Sequence, residues 1–411
     1  MRFAFLLLLF CTSLTAQDAI DSSGHIITCF TRDTAVGAFQ PPRAEFVDGS
    51  APITTTFNLV FTDSVPEAAR ASMQFAADIW GSYLQSDVPI RVEVDWRDEK
   101  DDRLLASAGP STIYRAFPGA VDPDVWYPVA LAEAIVGEDL NETTEADINV
   151  VVNSTANWNF STDGRVPRNR IDLSTVFLHE LGHGLGFLSS VDSTSDTSVS
   201  IGFNNRFIIY DLFLETPPGR SLVDATLFPS PSPELLAAVI ERLDFVGDSA
   251  VAKNNGEPVP LFAPETFDVG SSVSHLDENT YRAGRPNALM TPSVAAGEAV
   301  HDPGPVTLGI LFDLGWPLRF DLSTSVPEVV AGRLGIYPNP ATDLVRLSLE
   351  EVLSPTVAIL YGADGREVRR QDISGSAGRE AQLAVNDLPP GLYTLFVPDG
   401  NRAFSGRLMV R

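Results

Sequence analysis

Cysteine is almost absent from this chain, with Cys11 and Cys29 the only two in 411 residues. Cys11 lies in an apolar N-terminal run, and removal of that run leaves Cys29 without a partner, which excludes an internal disulfide. Basic residues are also scarce, since 28 Lys and Arg stand against 54 Asp and Glu, a net charge of −26. Nucleic acids and anionic membrane surfaces would repel such a chain, so neither is expected as a partner.

Long apolar runs are missing too, apart from the one at the N-terminus. Residues 1–16 combine a basic Arg2, an apolar stretch and the small-residue exit Leu14-Thr15-Ala16, which is typical of a cleaved signal peptide. No later stretch approaches the roughly 20 apolar residues of a membrane span. The sequence therefore predicts an exported protein without a transmembrane segment.

Histidine is rare, with 5 residues in the whole chain, yet two of them form a recognisable pattern. In His179-Glu180-Leu181-Gly182-His183 the two histidines are four positions apart, so on a helix they face the same side and can bind one metal ion. Glu180 follows the first histidine and is placed to accept a proton from water that the metal activates. We predict a catalytic Zn²⁺ site with His179 and His183 as ligands and Glu180 as general base.

The surrounding residues favour the helix that this site needs. Apolar residues recur every four positions from Leu173 to Leu185, and Asp172 or Ser174 can serve as the N-cap. Gly182 and Gly184 each cost a helix about 0.5–1 kcal/mol, so they are unexpected in a purely structural helix. The glycines therefore support the functional interpretation.

A catalytic zinc normally has three protein ligands and one open position, so a third ligand is needed. In the compact pattern His-Glu-x-x-His-x-x-Gly-x-x-His, Gly186 is present but Ser189 stands at the last position. His275 lies fifteen residues before Met290, and the following Thr-Pro suits a methionine in a tight turn beneath the metal. We predict His275 as the third ligand.

Two alternatives for the third ligand remain open. His301 stands in Val-His-Asp-Pro-Gly, a turn-like setting in which a surface histidine is the simpler expectation. A carboxylate of the region after the helix, with Glu215 as a candidate, would instead give the ligand set of the thermolysin-like group.

These motifs resemble the leishmanolysin-like branch of the metzincins, in which an insertion separates the helix glycine from the third histidine. The resemblance is carried by residues 179–187, 270–292 and 307–316. It implies an α+β, zincin-like catalytic domain with an insertion at about 192–270, and zinc-dependent endopeptidase activity on protein or peptide substrates. Leishmanolysins are rich in disulfides and this chain has none, so its insertion must be held in other ways.

The C-terminal part has a different character. Short strands separated by turns are predicted at Val345–Leu349, Thr356–Tyr361, Gln382–Val385, Leu392–Val397 and Arg407–Val410, which indicates a small all-β sandwich. Tyr337-Pro338-Asn339-Pro340, Asp364-Gly365 and the run from Leu388 to Tyr393 resemble the C-terminal sorting domain of the type IX secretion system of Bacteroidetes. That resemblance implies contact with the secretion machinery and transport across an outer membrane, to the cell surface or beyond.

The predicted organisation is thus a signal peptide at 1–16, an N-terminal segment at 17–45 that can act as a pro-segment, and a metzincin-like domain at 46–320. A linker at 321–332 and the β-sandwich at 333–411 follow. Within the N-terminal segment, Cys29 is either a buried apolar residue or a thiolate that blocks the zinc. The alternative function is a surface adhesin that keeps the zincin scaffold without hydrolysis, although Glu180 argues against it.

Overall fold

The computed structural model describes residues 18–22, 25–32, 34–319, 330–349, 357–362, 367–373, 380–399 and 402–411. The predicted signal peptide, residues 321–329 of the predicted linker and the Asp364-Gly365 turn lie outside them. Contacts within the chain define two compact units, Met1–Phe320 and Asp321–Arg411. Each unit has an apolar core of its own.

The first unit mixes helices with many short strands. Its strands are β1 (Asp18–Asp21), β2 (Ile27–Arg32), β3 (Ala38–Gln40), β4 (Phe57–Phe61), β5 (Ile90–Arg97), β6 (Leu104–Pro110), β7 (Thr112–Arg115), β8 (Tyr127–Pro128), β9 (Ile148–Asn153), β10 (Trp158–Asn159), β11 (Ile171–Asp172), β12 (Asp192–Ser195), β13 (Ser198–Ser200), β14 (Leu214–Thr216), β15 (Arg220–Ser221), β16 (Asp244–Phe245), β17 (Val259–Pro260), β18 (Ser293–Ala295) and β19 (Glu298–Val300). Its helices are α1 (Ala44–Val47), α2 (Glu67–Tyr83), α3 (Val129–Val136), α4 (Leu173–Gly184), α5 (Pro233–Val239), α6 (Asp248–Lys253) and α7 (Pro305–Leu314), with a 3₁₀ helix at Ile209–Phe213.

The elements predicted from periodicity are present with small shifts at their ends. The helix predicted at 173–185 corresponds to α4. Apolar residues at 71, 75, 79 and 83 predict a helix at 67–84, which corresponds to α2, and the run from Thr54 to Phe61 predicts a strand, which corresponds to β4. The segment that follows residue 102, which showed no readable pattern, contains β6, β7, β8 and α3. All residues of β6 after the first are buried, so it lacks the alternation that reveals a half-exposed strand.

A six-stranded sheet in the order β18-β2-β6-β9-β5-β4 forms the centre of the first unit. Strands β4, β5 and β9 run parallel, whereas β6 is antiparallel to β9, and β2 is antiparallel to β6. The β-branched run Ile148–Val152 predicts a strand, which we expected to be an edge strand along which an extended substrate could align. That expectation is wrong, because β9 is paired on both sides and β6 covers the edge it was assumed to offer.

Helix α4 is buried along its whole length and is fixed at both ends. Asp172 caps its N-terminus by accepting hydrogen bonds from the Thr175 amide at 3.0 Å and the Thr175 hydroxyl at 2.8 Å. At the other end, the Trp316 indole donates to the Leu185 carbonyl at 2.7 Å. The Trp80 indole of α2 donates to the carbonyl of Leu178 at 2.8 Å, so α2 and α4 are held in register.

The region predicted as an insertion, residues 192–270, is tied to the end of α4 by one buried carboxylate, that of Asp211. Asp211, in the 3₁₀ helix, accepts hydrogen bonds from the Ser189 hydroxyl at 2.7 Å, from both the amide and the hydroxyl of Ser190, and from the Ile208 amide at 3.2 Å. Burial raises the pKa of Asp211, and these four bonds act in the opposite direction. A hydrogen-bonded anchor thus holds the insertion where no disulfide is available.

The second unit consists of strands. They are β20 (Val330–Tyr337), β21 (Leu344–Leu349), β22 (Val357–Tyr361), β23 (Glu367–Asp372), β24 (Glu380–Ala384), β25 (Gly391–Asp399) and β26 (Arg402–Val410), in the order β23-β22-β25-β26-β20-β21-β24. Residues Val330–Arg333 of β20 pair with β26 and Leu334–Tyr337 pair with β21, so this strand passes from one layer to the other. The result is the sandwich-like arrangement that the strand pattern predicts.

The cap of α4 yields a stability prediction. Replacing Asp172→Ala removes the cap, at a cost of about 0.5–2 kcal/mol, and leaves buried His301 without its 2.7 Å partner, at a further cost of about 1–3 kcal/mol. We expect a lower urea midpoint by tryptophan fluorescence, which reports on the first unit because it holds all 5 tryptophans. Exposed Asp87→Ala is the control, and equal midpoints for the two variants would refute this role.

Candidate metal centre

Three histidines that are far apart in the chain meet at the inner face of α4. His179 and His183 lie one turn apart on α4, and His275 approaches from the segment that follows the insertion. The Nε2 atom of His179 lies 3.0 Å from that of His183 and 3.3 Å from that of His275. All three side chains are fully buried.

The other nitrogen of each ring faces a main-chain carbonyl. The Nδ1 atoms of His179, His183 and His275 lie 2.6, 2.7 and 2.8 Å from the carbonyl oxygens of Leu289, Phe187 and Ser271. A carbonyl oxygen only accepts, so each Nδ1 carries the proton and each Nε2 presents a lone pair. Second-sphere bonds of this kind fix the tautomer and orientation of metal-binding histidines.

Burial keeps the three imidazoles neutral. It lowers the pKa of His179 to about 4 and holds the pKa values of His183 and His275 well below their usual range. When each neutral ring carries its proton on Nδ1, no Nε2 atom carries a hydrogen, so the Nε2 atoms cannot form hydrogen bonds with one another. Lone pairs about 3 Å apart repel each other unless a cation lies between them.

The spacing of the Nε2 atoms fits a tetrahedral ion. Zn²⁺ bound by nitrogen at about 2.0–2.1 Å with tetrahedral angles separates its ligand atoms by about 3.3–3.4 Å. The separations of 3.0 and 3.3 Å found here are close to that value. Three imidazoles with no thiolate or carboxylate among them are a ligand set found in catalytic zinc sites. The residues present therefore fit zinc.

Glu180 lies beside these histidines and has no hydrogen-bond partner. Both carboxylate oxygens are buried, and neither finds a donor among the described residues. Burial raises the pKa of Glu180 well above its usual range. An unpaired buried carboxyl group is costly in its charged form, so it is either neutral or compensated by a cation or a polar ligand.

Two glycines allow α4 to approach its neighbours closely. A Cβ atom at Gly182 would lie 2.7 Å from the Sδ atom of Met290, which is itself fully buried. A Cβ atom at Gly184 would overlap the side chain of Ile148 on β9. Met290 thus packs directly beneath the turn of helix that carries both histidines, where the sequence predicts it.

The turn after α4 also contributes to the site. Gly186 has φ +116° and donates to the His183 carbonyl at 3.0 Å, while the Phe187 amide donates to the Gly182 carbonyl at 3.0 Å. This pair of bonds is a Schellman motif, for which glycine is favoured because of its positive φ. The motif directs the Phe187 carbonyl back to His183.

Cys29 lies at the same site. Its sulfur, the ligand nitrogen of His179 and a carboxylate oxygen of Glu180 all lie within 4.8 Å of one another. Cys29 is fully buried, and burial followed by the charge of Glu180 raises the pKa of its thiol. The sequence left open whether this residue is a plain buried cysteine or a blocking ligand, and the structure places it next to the histidines.

The remaining candidates lie elsewhere. His301 is fully buried and its Nε2 atom lies 2.7 Å from Asp172, so the expectation of a surface histidine is wrong, because the N-cap carboxylate supplies it with a buried partner. Glu215 pairs in β14 and joins no metal-ligating group among the described residues. The Ser189 hydroxyl binds Asp211.

Sequence patterns gave no indication of the three carbonyls that orient the rings. Main-chain atoms leave no residue-type signal, so Leu289, Phe187 and Ser271 were not identified as second-sphere partners. Only Gly186 offered a hint, since a glycine just after a helix signals the turn that positions the Phe187 carbonyl.

Two family models match parts of this chain. Residues 335–411 match the secretion system C-terminal sorting domain, which confirms the sorting domain predicted from the motifs. The protein is therefore exported by type IX secretion to the cell surface or the outside, and its C-terminal unit interacts with the secretion machinery.

Residues 48–207 match a family described as SPBPB7E8-like, a range that includes His179, Glu180 and His183 but not His275. Neither description names a metallopeptidase, so the metzincin resemblance stays a prediction.

The other comparisons add little. A search of curated proteins found no match. Among solved structures, a biofilm associated protein, BSP domain, aligns with 17% identity and a TM-score of 0.17, over 19% of this chain and 14% of that one. A similarity at this score does not define a common fold. Within the described residues, no helix has both the length and the apolar character to cross a membrane.

The geometry predicts that zinc stabilises the first unit. A ligand that binds only the folded state adds about 2.7 kcal/mol at a free concentration of 100 times its Kd. We expect Zn²⁺ to raise the urea midpoint of the parent chain, whereas His275→Ala should respond far less. Mg²⁺ prefers oxygen ligands and is the control ion; an equal effect of both ions would count against a three-imidazole site.

The close approach of α4 to β9 gives a second prediction. Gly→Ala inside a helix normally stabilises by up to about 1 kcal/mol, but Gly184→Ala should destabilise by about 1–3 kcal/mol because of overpacking against Ile148. It should also weaken zinc binding, measured by competition with a chelator. The matched control is Gly37→Ala, whose Cβ atom would meet Arg168 at an ordinary 3.4 Å. Stabilisation by Gly184→Ala would contradict the packing argument.

Proposed function

We propose that the first unit is a zinc-dependent endopeptidase of the metzincin type that hydrolyses protein or peptide substrates outside the cell. The observation that carries the proposal is the convergence of three Nε2 lone pairs beside an unpaired, buried carboxylate. Further support comes from Met290 beneath the histidine-bearing turn and from the HExxH spacing on α4. Export through the sorting domain is consistent with a substrate outside the cell.

The ligands in this proposal are His179, His183 and His275, and Zn²⁺ bound there would polarise the scissile carbonyl and lower the pKa of water to about 7. Glu180 then acts as general base, because its unpaired oxygens are available to take the proton of the attacking water. The same carboxyl group returns that proton to the leaving amine. The carbonyls of Leu289, Phe187 and Ser271 hold the three rings in place throughout.

Two variants test the assignment of roles. Glu180→Gln should retain zinc and lose hydrolysis by about 10²–10⁴-fold, because general-base catalysis is worth that much. His275→Ala should lose both zinc and hydrolysis. Zinc content by atomic absorption and hydrolysis of casein, before and after limited proteolysis of the N-terminal segment, measure these effects.

Glu215→Ala is the control that separates this proposal from a carboxylate third ligand. It should leave zinc content and hydrolysis unchanged, and a loss of zinc in this variant would favour the thermolysin-like ligand set. If the parent chain binds zinc but cleaves nothing after proteolysis of its N-terminal segment, the binding-module alternative replaces the peptidase.

A further inference from the structure

Residues 270–276, here called the His275 loop, contain one residue in an unfavourable backbone conformation. Val273 has φ +71° and is fully buried. Positive φ is uncommon for residues other than glycine, and for a β-branched residue it is an outlier. Such a conformation persists only where the surrounding structure holds it, and it is often found at functional sites.

The conformation of Val273 bears directly on the third histidine. Val273 lies midway between Ser271 and His275, and the chain turns back there so that the Ser271 carbonyl oxygen lies 2.8 Å from the Nδ1 atom of His275. In an extended chain, residues four positions apart are separated by about 13 Å. The orientation of the His275 ring therefore depends on the positive φ of Val273.

Hydrogen bonds hold both the amide and the carbonyl of Val273. Its amide donates to the Phe262 carbonyl at 2.9 Å, and the Phe262 amide donates to the His275 carbonyl at 2.8 Å. The Tyr210 hydroxyl donates to the Val273 carbonyl at 3.2 Å. Tyr210 thus supplies a side-chain hydrogen bond to the strained residue.

Tyr210 is well placed to hold a neighbour still. Its side chain is fully buried, and its ring centroid lies 5.5 Å from that of Phe187 and 5.3 Å from that of Phe245. Burial, followed by the charge of Asp211, raises the pKa of the Tyr210 hydroxyl well above its usual range, so the hydroxyl keeps its proton and can donate. Phe187 belongs to the turn after α4, so Tyr210 contacts both that turn and the His275 loop.

A second connection joins the end of α4 to the His275 loop. Ser189 stands where the compact zinc pattern has its third histidine, and its amide donates to the Ser274 Oγ atom at 3.0 Å. Its hydroxyl donates at 2.7 Å to Asp211, the neighbour of Tyr210. The position that lacks the histidine thus anchors the loop that supplies one.

We infer that Tyr210 is a positioning residue for the third metal ligand: its hydroxyl holds Val273 at positive φ, and that conformation places the His275 ring at the metal. The inference rests on the metal-binding step of the proposed function. It gives the region 192–270 a role in the site, since that region supplies Tyr210. Tyr210 acts through Val273 and His275 and not on the metal itself.

The first test measures zinc affinity of the full chain by competition with a chelator. Tyr210→Phe should weaken zinc binding about 10–100-fold, as the loss of a second-sphere partner does. The matched control is Tyr114→Phe, because Tyr114 is also buried and its hydroxyl donates to the Leu140 carbonyl at 3.0 Å. Its zinc affinity should equal that of the parent, and urea unfolding of the metal-free chains shows what each variant costs in stability. Equal zinc affinities for the two variants would refute the inference.

The second test reports on the ligand geometry without measuring activity. With Co²⁺ at saturation in place of zinc, the visible absorption of Tyr210→Phe should shift from that of the parent towards that of His275→Ala. Tyr114→Phe should keep the spectrum of the parent. A parent-like spectrum for Tyr210→Phe would show that His275 does not depend on the hydroxyl.

The third test asks whether Tyr210 acts through the strain at Val273. Tyr210→Phe is combined with Val273→Gly and, separately, with Val273→Ala, both of which shorten the side chain. In the Val273→Gly background the loss of the hydroxyl should weaken zinc binding by a much smaller factor, because glycine adopts positive φ without strain. The Val273→Ala background should keep the full effect, and an equal factor in both backgrounds would contradict the inference.

The outcomes separate this inference from the proposed function. If the parent binds zinc and hydrolyses peptide while Tyr210→Phe binds zinc as Tyr114→Phe does, the positioning role is refuted and the peptidase stands. If the parent binds zinc and hydrolyses nothing, the peptidase fails, and the zinc affinities still decide the role of Tyr210. A parent chain that binds no zinc would refute both.

Discussion

The site depends on three hydrogen bonds from imidazole Nδ1 atoms to main-chain carbonyls. They keep the proton on the outer nitrogen of each ring, so the inner lone pair of His179 lies 3.0 and 3.3 Å from those of His183 and His275, and these lone pairs repel one another without a cation between them. Each carbonyl belongs to a different element: the turn before Met290, the turn after α4, and the loop after the insertion. The three-histidine cluster is therefore where these three parts of the chain are held together.

The need to bring the histidine rings to these carbonyls explains why α4 packs so closely against its neighbours. Its histidines meet the carbonyls only if the helix lies deep between α2, β9 and Met290, and Gly182 and Gly184 make this depth possible. Trp80, Trp316 and Asp172 then fix its rotation and its ends. A helix held in this way loses little conformational freedom when a ligand binds, so binding energy is not spent on ordering it.

Sequence patterns located the clustered histidines better than the strands that surround them. The spacing of His179 and His183 and the apolar repeat of α4 follow directly from helix geometry, and Met290 marked the neighbourhood of His275. Strand β6 was not predicted because it is buried on both faces and therefore lacks the alternation of apolar and polar residues that marks a half-exposed strand. As a result, β9 was taken for an edge.

His301 and Asp211 show a second limit of sequence reasoning. A polar residue is expected at the surface unless a buried partner is known, and such partners are distant in sequence: Asp172 lies 129 positions from His301. Asp211 likewise anchors the insertion through Ser189 and Ser190, which precede it by about twenty positions. Pairings of this kind follow from the fold and are not encoded in any local pattern.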